Sequence, residues 1–175
     1  MKRTALIMAM MFGILVSGCA SYPKEDIEVA TEADPKVNFS AYKTYAWLGS
    51  VEIVNDPDGI WEPLGFDSDS EIVALVDKEL AKRRMIESDS NPDMLVAYAL
   101  GVDMAAMQYK NNPNAELAVL ENVPQGALVI VMMDPETDFV TWAGIAVAEI
   151  KNMGKETAVK RLNYAISKMF KELPK

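Results

Sequence analysis

Cys19 is the one thiol in a chain of 175 residues that contains no histidine. It follows an apolar run from Ala5 to Val16, with Lys2 and Arg3 ahead of the run and the small residues Ser17 and Gly18 directly before the thiol. Positive start, apolar middle and small residues at the cut are the order of a secretory signal. Val16-Ser17-Gly18-Cys19 resembles a lipobox, where a diacylglyceryl group is joined to the cysteine sulfur, the chain is cut between Gly18 and Cys19, and the freed amine is acylated. A single cysteine has no partner for an internal disulfide. The apolar run is shorter than the about 20 residues of a membrane span, and polar Ser21, Lys24, Glu25 and Asp26 follow it instead of a basic flank. A lipid anchor on Cys19 is therefore expected in place of a spanning helix.

Burying acyl chains contributes about 0.8 kcal/mol per CH₂, so two or three chains hold a protein at a membrane where one is marginal. The residue after Cys19 is Ala20 and not the aspartate that resembles an inner-membrane retention signal. In a two-membrane cell this favours the periplasmic face of the outer membrane. Three segments are expected: a signal peptide over 1–18, a lipidated end and short tether over 19–26, and one globular domain over 27–175. The tether, at about 3.5 Å per residue, reaches some 25 Å at most.

Few other residues offer chemistry. Without histidine or a free thiol, a His-dependent triad, a cysteine nucleophile and the usual zinc sites are excluded. There is no glycine-rich phosphate loop, and no cofactor is implied. Asp56, Asp58, Asp67, Asp69 and Glu71 could offer oxygen ligands to a hard cation, but their spacing is not that of an EF-hand. Asp56-Pro57-Asp58-Gly59 reads as a turn, and Asp67 and Asp69 stand at a helix start, so structural roles are favoured. Trp47, Trp61, Trp142, Tyr42, Tyr45 and Tyr98 could line a groove, and Met104, Met107, Met132 and Met133 could form an adaptable surface. Core packing is the commoner use of both sets.

Charge narrows the partners. The whole chain carries −9, and removal of residues 1–18 takes away Lys2 and Arg3 but no acid, which leaves 15 basic and 26 acidic residues and a charge of −11. The one dense basic run, Lys82-Arg83-Arg84, sits at a helix end where cations suit the macrodipole. Nucleic acid is not expected as a partner.

The elements that must position these residues follow from periodicity. Ile27, Val29 and Thr31 alternate with Glu28, Ala30 and Glu32 as in a half-exposed strand. A second strand, Thr44 to Leu48, is closed by Gly49, and 50–69 reads as a long loop that Trp61 and Phe66 pin to the body. Ser68 and Glu71 have capping-box spacing before a helix whose buried stripe is Ile72, Val73, Val76 and Leu80. Met94 to Leu100 reads as a central strand. The stretch 103–126 stays open between helix and strand, broken at Asn111-Asn112-Pro113-Asn114.

Ala127–Met133 and Asp138–Val147 form a hairpin over Asp134-Pro135-Glu136-Thr137. A last helix, from about Glu156 to Leu173, buries Val159, Leu162, Ile166, Met169, Phe170 and Leu173 while Lys160, Arg161, Lys168 and Lys171 face water. The expected fold class is α+β: a two-layer sandwich with a mostly antiparallel sheet of about five strands and both helices on one face.

Four blocks carry a family resemblance. They are Asn38-Phe39-Ser40-Ala41-Tyr42-Lys43-Thr44-Tyr45-Ala46-Trp47, then Asp77-Lys78-Glu79-Leu80-Ala81, then Asn91-Pro92-Asp93-Met94-Leu95-Val96-Ala97-Tyr98, and the run from Leu128 through Asp134 to Trp142-Ala143-Gly144. In order and spacing they resemble the bacterial lipoprotein family known as domain of unknown function 4136. The resemblance implies a small envelope domain on a lipid anchor and no assigned activity. The chain departs from the pattern at Asn38, where aspartate is usual, at Arg84, where a helix-ending glycine is usual, and at Ala143, where an arginine often lies.

Three functions are compatible with these residues. The favoured one is a non-catalytic envelope module, held to the membrane through Cys19, that binds an envelope protein or a cell-wall component. The alternatives are a carrier of a small apolar ligand held between sheet and helices, to which the long apolar runs point, and a hydrolase using carboxylates or a Ser/Lys pair.

Overall fold

The computed structural model describes residues 26–63, 65–110 and 119–175. The expected signal segment, its cut at Gly18 and Cys19, the tether up to residue 25 and the Asn111–Asn114 break lie outside the described residues.

The first strand, β1 (Glu28–Ala33), alternates as expected and turns Val29 and Ala33 toward the core. A short 3₁₀ turn at Phe39–Ala41 leads into β2 (Thr44–Asn55). This strand corrects the expectation of a loop from residue 50. It runs on to Asn55 because Gly49, at φ 142°, takes up a register shift after Trp47 that a side chain would strain. Beyond the shift Ser50 faces the helices, whereas Val51 and Ile53 point away and are 52% and 61% exposed.

Helix α1 (Ser68–Lys82) is capped one residue earlier than the sequence suggests: the Asp67 carboxylate accepts from the Ser70 backbone N–H (3.0 Å) and hydroxyl (2.6 Å). The helix ends at Arg84, which has φ 65°. The Met85 N–H donates to the Leu80 carbonyl and the Arg84 N–H to the Ala81 carbonyl, a Schellman arrangement with Leu80 and Met85 both buried. The chain then forms β3 (Ile86–Glu87) and β4 (Leu95–Asp103), both running parallel to β2.

Next come β5 (Met107–Lys110) and β6 (Val119–Asn122), an antiparallel pair that resolves the flanks of the open stretch as strands. They are followed by β7 (Gln125–Met133), β8 (Val140–Glu149) and helix α2 (Lys155–Glu172). The main sheet has the order β1-β8-β7-β4-β2-β3. It has six strands instead of about five. It is mixed, because the α1 crossover returns the chain parallel to β2, while the β4-β7, β7-β8 and β1-β8 pairings are antiparallel.

Both helices cover one face, which is the two-layer α+β sandwich the sequence implied. Ile72, Val76 and Leu80 of α1 and Ile166, Met169 and Phe170 of α2 pack on Val96, Ile130 and Trp142 of the sheet. Met132 is fully buried there, whereas Met107 is 53% exposed, so the methionines form no common surface. Gly144 lets β8 approach α2: a Cβ at this position would lie 2.7 Å from the Trp142 ring and 2.8 Å from Met169 Sδ. Among the described residues, no helix is long and apolar enough to cross a membrane.

Candidate functional site

The first turns of α1 and α2 meet the sheet over small residues. Gly126 of β7, Ala148 of β8, and Ala158 and Ala165 of α2 leave unfilled space where larger side chains would close the layer. The result is a cleft of about 340 Å³, at the lower end of the ~300–1,000 Å³ typical of ligand pockets. Leu100, Leu128 and Leu162 make its walls apolar, and Trp61 and Phe66 reach in from the 56–67 loop. Both are half-buried, and Lys155 Nζ lies 5.5 Å from the Phe66 ring centroid.

Charged groups occupy the rim. Arg161 is 6% exposed and donates from both terminal nitrogens to Asp26, at 2.9 and 2.7 Å. This corrects the expectation that Arg161 faces water. It lies three residues after Ala158 and four before Ala165, on the buried face, and its partner comes from the other end of the chain. Lys151 adds ion pairs to Asp26 (3.1 Å) and Glu149 (3.5 Å). The Arg161 hydrogen bonds, opposed by burial and reinforced by Lys151, hold the Asp26 carboxyl far below the usual carboxylate range. Asp26 is thereby fastened at the cleft, seven residues after Cys19.

A second polar layer joins α1 to the sheet. Asp69 accepts from the Tyr98 hydroxyl and from Ser50 Oγ (3.1 Å). Two turns on, Asp77 accepts from the Tyr45 hydroxyl (2.8 Å) and Trp47 Nε1 (3.1 Å). Trp47 and Tyr98 pack edge to face with centroids 6.3 Å apart. Burial and the adjoining Asp69 push the Tyr98 phenol up to about 12, and burial and Asp77 raise that of Tyr45. Both phenols therefore stay protonated and act as donors.

The acid cluster is dispersed. Asp56 accepts from the backbone N–H groups of Ile60 (3.1 Å) and Trp61 (2.7 Å), Asp67 caps α1, Asp69 faces Tyr98 and Glu71 pairs with Lys155 at 3.0 Å. Among the described residues no group of three or more such ligands could hold a metal ion. Trp142 and Tyr45 are core, as favoured; Trp61 is the aromatic that reaches the cleft. The sequence offers an apolar ligand between sheet and helices as an alternative but does not give the cleft's lining, which uses ordinary core residues.

The family model for the domain of unknown function DUF4136 matches residues 29–175. The chain belongs to the DUF4136 family. Among solved structures, it is similar to a DUF4136 family protein from Bacteroides thetaiotaomicron at 12% identity and TM-score 0.52, covering 82% of this chain and 95% of that one. It is also similar to PelC from Paraburkholderia phytofirmans, a dodecamer, at 12% identity and TM-score 0.50, with 85% and 99% covered. A PDZ domain protein from Parabacteroides distasonis matches at 15% identity and TM-score 0.50 over 86% of this chain and 37% of that chain. At such identities the likeness concerns the fold. No curated protein matches in sequence.

The DUF4136 signature blocks meet in space. Asn38 caps the 3₁₀ turn, its side-chain oxygen accepting from the Ser40 N–H (3.2 Å) and hydroxyl (2.7 Å), an acceptor that an aspartate would equally supply. Arg84 holds a left-handed position that a glycine would adopt without a Cβ penalty. Ala143 lies on the helix-free face of β8, paired with Val131 and Glu32.

Proposed function

We propose that this DUF4136 protein is a non-catalytic binding module of the cell envelope. It is anchored through lipid on Cys19 to the periplasmic face of the outer membrane, and it holds a small apolar ligand in the cleft between sheet and helices. The observation that carries the reading is the cleft: apolar walls, space for a ligand, and a rim at which Asp26 is bound to Arg161. Of the carboxylates that line it, Asp67 caps α1, Asp69 accepts from Tyr98 and Ser50, and Glu149 pairs with Lys151, which supports binding over hydrolysis. The lipobox-like Val16–Cys19 sequence supports the anchor, and Ala20 supports the outer membrane.

The test is titration with an uncharged naphthylamine fluorophore. The core runs from Ile27 to Leu173, so the chain from Ala20 onward contains all of it and can be used without lipid. Saturable uptake of one probe per chain is expected, and fluorescence that rises linearly without saturating would overturn the reading.

A second reading is favoured by the helix-free sheet face, where Val51, Ile53 and Ile145 are 52%, 61% and 39% exposed. An apolar patch of this kind suits a protein partner, and a second copy of this chain is the occupant we favour, PelC of similar fold being a dodecamer. Sedimentation should show self-association that Ile53→Asp abolishes; a monomer at all concentrations would remove this reading.

A further inference from the structure

We infer that the cleft receives one acyl chain of a membrane lipid whose head group is uncharged or positive. The inference rests on the reading of the cleft as a ligand site and names the ligand.

Size sets the first limit. At about 30 Å³ for each water-sized group, the 340 Å³ cleft takes on the order of ten methylenes, enough for one chain and too little for two. Its walls are mostly hydrocarbon, with Leu100, Leu128 and Leu162 on three different elements, which suits an apolar chain.

Charge sets the second. Glu52, Asp67, Asp69 and Glu149 stand at the lining, against Lys151 and Arg161. Both cations are already engaged, Arg161 by Asp26 and Lys151 by Asp26 and Glu149. The field at the opening is negative, and it repels a carboxylate or phosphate head while tolerating a neutral or cationic one.

Position supplies the source. Asp26 is bound at the rim, and the seven residues from Cys19 to Glu25 span about 25 Å at full extension. A lipid anchor on Cys19 would therefore keep the cleft within reach of the bilayer, where acyl chains are the abundant apolar ligand.

The experiment compares probes with the same chain and different heads, 1-monolauroylglycerol and laurate, on the chain from Ala20 at pH 7.5, below their aggregation concentrations. Native mass spectrometry should show one monolauroylglycerol bound, and titration should show laurate binding at least 10-fold more weakly. Ala148→Leu, which fills the cleft from β8, should weaken monolauroylglycerol at least 10-fold. Should that variant misfold, Trp61→Ala in the loop should weaken it about 5-fold. Glu52→Lys should narrow the gap between the two heads. Equal or tighter laurate binding, or full binding by both Ala148→Leu and Trp61→Ala, would overturn the inference.

The uncharged naphthylamine probe separates the two levels. If it binds and neither lauroyl probe does, the acyl assignment fails and the cleft reading survives; if none binds, both fail. Lipidated protein in nanodiscs identifies the source. It should take up monolauroylglycerol like the unlipidated chain, and loss of uptake on lipidation would make the protein's own anchor the occupant and overturn the assignment to a membrane lipid.

Discussion

Thr44 and Asp93 exchange hydrogen bonds in both directions: Asp93 Oδ2 accepts from the Thr44 N–H (2.9 Å) and hydroxyl (3.0 Å), while Thr44 Oγ1 accepts from the Asp93 N–H (2.9 Å). Oδ2 also accepts from the Lys43 N–H at 2.8 Å. Two signature blocks separated by about 50 residues are thus joined where β2 and β4 begin their parallel pairing. Thr44→Val removes the hydroxyl from this exchange and should cost about 1–2 kcal/mol in denaturant unfolding. Thr44→Ser should recover most of it.

The Asp26–Arg161 pair carries a pH signature. Hydrogen bonds from Arg161, working against burial and helped by Lys151, keep Asp26 ionised in the fold well below its ordinary value of 3.8. A carboxylate with a depressed folded value contributes stability above its unfolded value, and that contribution is lost as pH falls through the folded one. Unfolding free energy should therefore decline below about pH 4, and the decline should be shallower in Asp26→Asn. At pH 7 that variant should lose about 1–2 kcal/mol, less than the ~3–5 of a fully buried pair because Asp26 keeps some contact with water.

Gly144→Ala should be destabilising despite the strand setting. The added methyl meets the Trp142 ring and Met169 Sδ at under 3 Å, and overpacking of this kind costs about 1–3 kcal/mol. Thermal unfolding followed through tryptophan fluorescence measures it, and Met169→Ala in the same chain should offset part of the loss.

Arg84→Gly should act in the opposite sense. At φ 65° the arginine backbone is left-handed, and glycine removes a penalty of about 1 kcal/mol. A higher urea midpoint with unchanged slope is the expected result.

The fold was legible where periodicity and turn chemistry agreed. The α2 stripe, the Asp134–Thr137 turn and the alternation around Val29 each depend on neighbours in sequence. Where partners come from far along the chain, the reading failed. Arg161 looked like a surface cation because Asp26 lies 135 residues away. Gly49 looked like a strand end because a bulge and a stop share the same residue type, and only pairing with β4 shows that β2 continues. The cleft was legible only through the alternative of an apolar ligand between sheet and helices, without its lining: an unfilled volume has no residue of its own, and Ala148 or Gly126 would serve equally well in a closed layer.

The proposed function requires an apolar ligand to enter between sheet and helices, and methyl NMR locates that entry directly. With Ala, Leu, Ile and Val methyls labelled, added monolauroylglycerol should shift Leu100, Leu128, Ala148 and Leu162 and show magnetisation transfer to them from the chain. Shifts confined to Val51, Ile53 and Ile145 on the helix-free face, with the cleft methyls unmoved, would contradict it.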